Sequence, residues 1–145
     1  RARNGYRLPT ELEWGLAARG GASTSYSGSD ILEEVAIYGG NSSGGPSCVG
    51  LRKANAFGIF DMTGNVWEWI WDWHSVIQDQ SLVDYSGPDE GDSKVIRGGA
   101  WDSNNPIHLS NSYRIGADPK YSGDELGLRI VQSSDAGRAD RTSDE

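Results

Sequence analysis

Apolar and polar positions along the chain sort into a few short periodic runs, separated by stretches rich in glycine, serine and asparagine. The first run predicts a helix. Thr10-Glu11-Leu12-Glu13 reads as a capping box, with the Thr10 hydroxyl accepting the Glu13 N–H and the Glu13 carboxylate reaching back. Leu12, Leu16 and Ala17 then form an apolar stripe with Trp14 near its edge, and Gly20-Gly21 ends the helix. Glu11 and Glu13 sit in the first turn, where glutamates answer the helix dipole rather than act as catalytic acids. From 22 to 56 only EEVAIY, 33–38, matches a short strand, among turn signals such as Gly39-Gly40-Asn41 and Ser43-Gly44-Gly45-Pro46. An irregular stretch of that length is uncommon in a compact domain unless it has a function or an ordering ligand.

The segment FDMTGNVWEWIWDW, 60–73, alternates with the period of a strand over 65–72. Trp67, Trp69, Trp71 and Trp73 then share one face, and Val66, Glu68, Ile70 and Asp72 the other. At the strand rise Glu68 and Asp72 lie roughly 13 Å apart, too far to pair as acid and base or to share one metal. If both acids matter, they matter separately. Val95-Ile96-Arg97-Gly98-Gly99 predicts a second strand entering a glycine turn, and Leu126–Val131 a closing one. Residues 102–125 between them are short and polar, with Pro106 and Pro119, and read as loop. The tail QSSDAGRADRTSDE, 132–145, has no apolar period and is expected to be disordered.

Composition narrows the function. The length, 145 residues, suits one domain or a piece of one. Apolar residues make up only 36%, so the six tryptophans must contribute much of any core. A net charge of −8 argues against a nucleic-acid backbone or an anionic membrane as partner. No apolar run approaches the roughly 18 residues of a membrane span, so no membrane insertion is expected. The chain opens in mid-pattern without a methionine, which leaves localisation open and suggests a part of something larger. Cys48 is the single cysteine, so neither an intrachain disulfide nor a thiolate cluster can form.

Three ordered segments, RLPTELEWGLAARGG, NAFGIFDMTGNVWEW, and VIRGGAW followed by YR and LGLRIV, resemble the formylglycine-generating enzyme or sulfatase-modifying-factor family. The resemblance implies an α+β, C-type-lectin-like fold: loop-rich, with one clear helix, twisted antiparallel strands, and an extracytoplasmic or cell-surface setting. It places residues 1–131 as the C-terminal part of such a domain. It also implies a calcium ion held by side-chain oxygens of Asp61 and Glu68 and carbonyls of Gly64 and Val66, chemistry that suits a hard cation taking six to eight oxygens. The alternative from the residues alone is that Asp61 caps a turn while Glu68 pairs with an arginine such as Arg97 or Arg129. GGNSSGGPS, 39–47, carries no acid for a second calcium site.

The copper-dependent oxidases of the family need two cysteines in the segment that here reads GGAWDSNNPIHLSNSYR. Asp102 and Ser103 stand near the first position, and Ile107, His108 and Leu109 near the second. Copper(I), a soft ion that prefers sulfur, is not expected. A His108–Asp102 acid/base couple is conceivable but lacks a nucleophile, and His74 and His108 are too few for an iron site. Trp67, Trp69 and Trp101 are expected in the core, with Trp71 and Trp73 divided between core and a surface groove. Arg97, Arg114 and Arg129 are expected to tie loops to strand carboxylates.

What remains is a display reading. The 102–125 run resembles the hypermutated stretch of retroelement-diversified variable proteins, and its Ser, Asn, Gly and Tyr suit an adaptable binding surface. The expected face is Trp101, Asp102, Ser103, Asn104, His108, Ser110, Ile115, Ala117, Tyr121, Ser122, Asp124 and Glu125, engaging a protein or glycan without catalysis. The rival is an oxidoreductase or sulfatase-modifying enzyme completed from elsewhere.

Overall fold

The computed structural model describes residues 5–76 and 87–132. The disordered-tail expectation for 132–145 falls, apart from Gln132, outside the described residues. Strand β1 (Tyr6–Arg7) leads into helix α1 (Glu11–Arg19), followed by the one-turn helix α2 (Leu32–Val35). Strands β2 (Trp67–Trp73) and β3 (Lys94–Arg97) precede a 3₁₀ turn (Pro106–Leu109), β4 (Ile115–Ala117), β5 (Leu126–Leu128) and β6 (Val131–Gln132). The central four-stranded sheet runs β4-β3-β2-β5, and β1 pairs with β6 in a separate two-stranded ribbon.

The capping box forms as predicted. The Glu13 amide donates to Thr10 Oγ1, the Thr10 amide donates to Glu13, and Gly20 closes the helix in the left-handed region. The buried face is different from the expected stripe. Trp14 and Ala18, one turn apart, are fully buried, while Leu16 is 60% exposed. Tertiary contact decides this: the Trp14 indole N–H donates to Glu68 on β2 at 2.7 Å, which turns that side of the helix onto the sheet. Trp14, Ala18, Met62, Ile70 and Val95 form the main apolar cluster, and Leu32, Ala36 and Leu109 a second.

The expected strand at 33–38 is a helical turn, then an extended segment. Leu32, Val35 and Ala36, spaced for one helix face, are buried together. The Asn41 side chain then acts as a neighbouring strand would, accepting the Tyr38 N–H and donating to the Ala36 carbonyl. Ile37 bridges to Gly64, whose φ is 75° and where an added Cβ would fall 2.2 Å from the Ile37 carbonyl oxygen, so no side chain fits.

On β2 the predicted alternation holds, but the acid-bearing face is the core face. Glu68, Ile70 and Asp72 are buried, whereas Trp67, Trp69 and Trp73 are half-buried and Trp71 is exposed. Trp101 is also half-buried, so the core role expected for Trp67, Trp69 and Trp101 is only partial. Trp73 instead lies under the Lys94 ammonium, 3.9 Å from the ring centre. The closing strand divides into β5 and β6 because Arg129 leaves the ladder to reach Glu68. β5 runs parallel to β2, a departure from the all-antiparallel expectation. The 102–125 segment, read as loop, carries the 3₁₀ turn, capped by the Asn105 side chain, and β4, antiparallel to β3.

Candidate functional site

Two acids expected to act separately do so. Asp72 is buried and accepts the Glu11 amide at 2.8 Å, docking the N-terminus of α1 onto the sheet. Glu68, 5% exposed, accepts the Trp14 indole N–H and two Arg129 donors at 3.0 and 2.8 Å, while Arg129 also donates to the Phe60 carbonyl. Arg129 is thus the partner of Glu68, one of the two arginines anticipated for it. Arg97 lies opposite Glu68 in the ladder but turns away, over the Trp14 ring, to the carbonyls of Asn111 and Ser112 and to Glu11. Burial pushes its guanidinium down to about 10. Arg114 grips Glu11 with two donors and the Ser75 carbonyl with a third. So Arg97 and Arg114 meet on the helix glutamate, and only Arg129 meets a strand carboxylate.

Three of the four calcium-ligand candidates line one cavity, while Gly64 is placed outside its lining, bridged to Ile37. Asp61, Val66 and Glu68 line a cavity of about 520 Å³ with Val49, Phe60, Leu128 and Arg129. Asp61, at φ 57°, accepts the Gly50 amide at 2.7 Å, which is the turn-holding role considered for it. Both Glu68 oxygens are already engaged, so these residues as arranged do not fit a calcium ion unless Arg129 withdraws. No group of three or more His, Cys, Asp or Glu placed to hold a metal occurs among the described residues.

The binding-face candidates fall into separate groups. Asp102, Asn104, Ile115, Tyr121, Ser122 and Asp124 are exposed; Trp101, His108, Ser110, Ala117 and Glu125 are half-buried. Tyr121 donates to Glu125, and that hydrogen bond, with the Glu125 charge and more weakly those of Asp102 and Asp124, pushes its phenol pKa up; the same bond draws the Glu125 carboxyl down. Asn104 donates to the Asp102 carbonyl beside them. His108 packs on the Tyr113 ring at 4.6 Å, and Tyr113 in turn on Trp67 at 6.1 Å. That ring contact, with Asp102 beside Tyr121, gives no support to a His108–Asp102 acid/base couple. Ile115 and Ala117 sit on β4, at the opposite end of the sheet from β5. Ser103 is the exception to a surface role: it is buried and its hydroxyl accepts the Ala100 N–H. Cys48 is exposed, in the upstream loop.

Sequence reasoning missed the Trp14–Glu68 bond and the apolar wall of the cavity. Nothing in a buried-strand alternation tells which tryptophan elsewhere supplies an indole donor. The exposed Val49 and Phe60 lie in a stretch without period.

The loop-rich α+β fold, with short strands around one capped helix and a long, mostly irregular segment between the glycine turn and β5, defines the class of the formylglycine-generating-enzyme scaffold. The chain belongs to the sulfatase-modifying factor enzyme 1-like domain family, whose model matches residues 1–134. Among similar proteins, the chaperone protein LppX of Paenibacillus barcinonensis is 37% identical over 90% of this chain and 50% of its own. The formylglycine-generating enzyme of Streptomyces coelicolor is 33% identical over 90% of this chain and 48% of its own. Treponema denticola variable protein 1 superposes with a TM-score of 0.83 at 37% identity, covering 88% of this chain and 47% of that one. PvdO from Pseudomonas aeruginosa gives 0.75 at 30% identity, covering 89% and 53%. The chain spans about half the length of these relatives.

Proposed function

We propose that the chain is a non-catalytic binding module that engages a protein or glycan through the 102–125 segment. One observation carries this reading: the segment is held by its main chain, not by its outward side chains. Arg97 donates to the Asn111 and Ser112 carbonyls, the Gly39 amide to the Ser103 carbonyl, and the Trp67 amide to the Glu125 carbonyl. Asp102, Asn104, Tyr121, Ser122 and Asp124 project from this held backbone. A face whose backbone is fixed from beneath tolerates replacement of its side chains. The resemblance in structure to a protein called a variable protein supports the same reading. The two cysteines of a copper oxidase have no counterpart in a chain whose single cysteine is Cys48.

The test is a library with those five exposed positions randomised, displayed and selected against hen-egg lysozyme. Library members are expected to keep cooperative melts within a few degrees of the parent, and selection to yield binders. Loss of folding in most members would refute the display reading. A stoichiometric copper(I) site in the parent, with oxidation of a cysteine-containing peptide, would favour the enzyme alternative.

A further inference from the structure

Two hydroxyl-rich runs, Ser23-Thr24-Ser25 and Ser110-Asn111-Ser112, meet beyond the C-terminal end of α1. Gly20 and Gly21, both left-handed, end the helix and turn the chain into the first run. Asn111 joins the two: its amide donates to the Ser25 carbonyl at 2.9 Å and its side-chain nitrogen to the Thr24 carbonyl at 3.0 Å. Arg97 holds the second run through the Asn111 and Ser112 carbonyls. The runs and Arg19 enclose a cavity of about 410 Å³, within the range of small-molecule sites, about 300–1,000 Å³. The lining side chains are polar apart from Ala22, and the single charged one is Arg19.

The polar set is incomplete as it stands. Arg19 is exposed, and its guanidinium has no hydrogen bond or ion pair among the described residues. Its charge acts on that of the buried Arg97, so the site is positive in a chain of net charge −8. Asp30 is turned to the Ser25 amide at 2.7 Å and does not line the cavity. The Ser23 hydroxyl has no partner among the described residues, and that of Ser112 is shared with Ser110 at 3.3 Å. Asn111 is 8% exposed, and its Oδ1 is buried without a hydrogen-bond partner. A free guanidinium fork takes a carboxylate in two parallel bonds. An orphan acceptor among hydroxyls takes a hydroxyl donor, which a simple carboxylate lacks. We propose that this cavity binds a carboxylated sugar unit of a glycan, its carboxylate on Arg19 and its hydroxyls on Ser23 and Ser112 and toward the Asn111 oxygen. An acidic peptide side chain would engage Arg19 and leave the remaining groups unpaired. None of the five exposed positions proposed to vary lines the cavity, so this site stands or falls apart from the display reading.

The test is an NMR titration of the isotope-labelled, 145-residue chain with three ligands. Methyl β-glucuronide carries the charge and the hydroxyls, methyl β-glucoside the hydroxyls alone, and acetate the charge alone. The glucuronide is expected to give saturable amide shifts confined to 19–25 and 110–112, with a Kd at least about tenfold below that of either other ligand. Arg19→Gln is expected to weaken the glucuronide to the level of the glucoside, Arg19→Lys to restore part of the difference, and Tyr121→Ala, on the outward face, to change nothing. Equal affinity for glucuronide and acetate would leave a bare anion site and overturn the sugar. Equal affinity for glucuronide and glucoside, shifts centred elsewhere, or an unchanged glucuronide affinity in Arg19→Gln would overturn the site itself. The comparison of the three ligands on the parent chain decides the matter even where a variant fails to fold.

Discussion

Replacing Arg129 by methionine removes the charge from Glu68 while keeping most of the side-chain volume. Glu68 is 5% exposed and sits between the Trp14 indole and the Arg129 guanidinium, whose side chain is 27% exposed. In Arg129→Met the carboxylate keeps the indole donor and loses two charged donors, and Phe60 loses the donor to its carbonyl. Removing one partner of a buried ion pair costs about 3–5 kcal/mol, because the other charge is left without compensation. The partial exposure of Arg129 lets water replace some of what is lost, which places the cost near 3 kcal/mol. For a domain of this size that corresponds to a fall in Tm of about 6–12 °C. Glu68→Gln, which leaves a neutral amide in the same place and an arginine able to reach solvent, costs less, about 1–2 kcal/mol. Urea unfolding of both single variants and of the pair should then show a double variant more stable than the sum of the two losses predicts, by at least about 1 kcal/mol. Additive losses, or an Arg129→Met variant within about 0.5 kcal/mol of the parent, would refute the ion pair as the anchor of β5.

The Glu13 carboxylate, held by Arg7 and by the Thr10 amide, is drawn down to about 2 from 4.5. A depressed acid adds stability above its unfolded value, lost as pH falls from about 4.5 through about 2; with Glu13 42% exposed the share is discounted to about 1 kcal/mol. Glu13→Gln is therefore expected to be less stable at pH 7 and equal to the parent at pH 2, and an equal deficit at both pH values would contradict this. Trp14→Ala is expected to cost about 3–5 kcal/mol and Leu16→Lys less than about 0.5, measured by thermal melts; the reverse order would restore the Leu16 stripe as the buried face. With Glu68 already neutralised, millimolar calcium against chelator is expected to move Tm by less than about 2 °C. A larger rise abolished by Asp61→Ala would instead establish the Asp61, Gly64, Val66 and Glu68 ligand set.

What was legible in the sequence was whatever is encoded locally. The capping box needs only residues three apart, and it formed. The β2 alternation named its two faces correctly, and the motif order named the family. What was not legible depended on partners far along the chain. Glu68 is buried because donors 54 and 61 residues away meet it there, so the acid face could be the core face. The same contact turns Trp14 inward and leaves Leu16 outside. The segment 33–38 failed as a strand because its first half turns helically to bury Leu32, Val35 and Ala36 together, and the Asn41 side chain then supplies the hydrogen bonds at Ala36 and Tyr38.

The arrangement explains how a chain with so thin an apolar supply holds long loops in place. The main cluster has a handful of buried apolar side chains, and around it Asp72 caps α1, Glu68 gathers Trp14 and Arg129, and Glu11 gathers Arg97 and Arg114. Buried ion pairs of this kind add little net stability over apolar packing of the same volume. Their directional bonds do something packing cannot: each specifies one partner at one angle. Arg97 and Arg114 fix where 111–114 lies against α1, and Arg129 fixes where β5 leaves the sheet. A loop segment anchored at those points keeps its course whatever side chains it presents between them. Substitution at Arg97 should therefore disturb the 102–125 surface more than substitution at any exposed position within it.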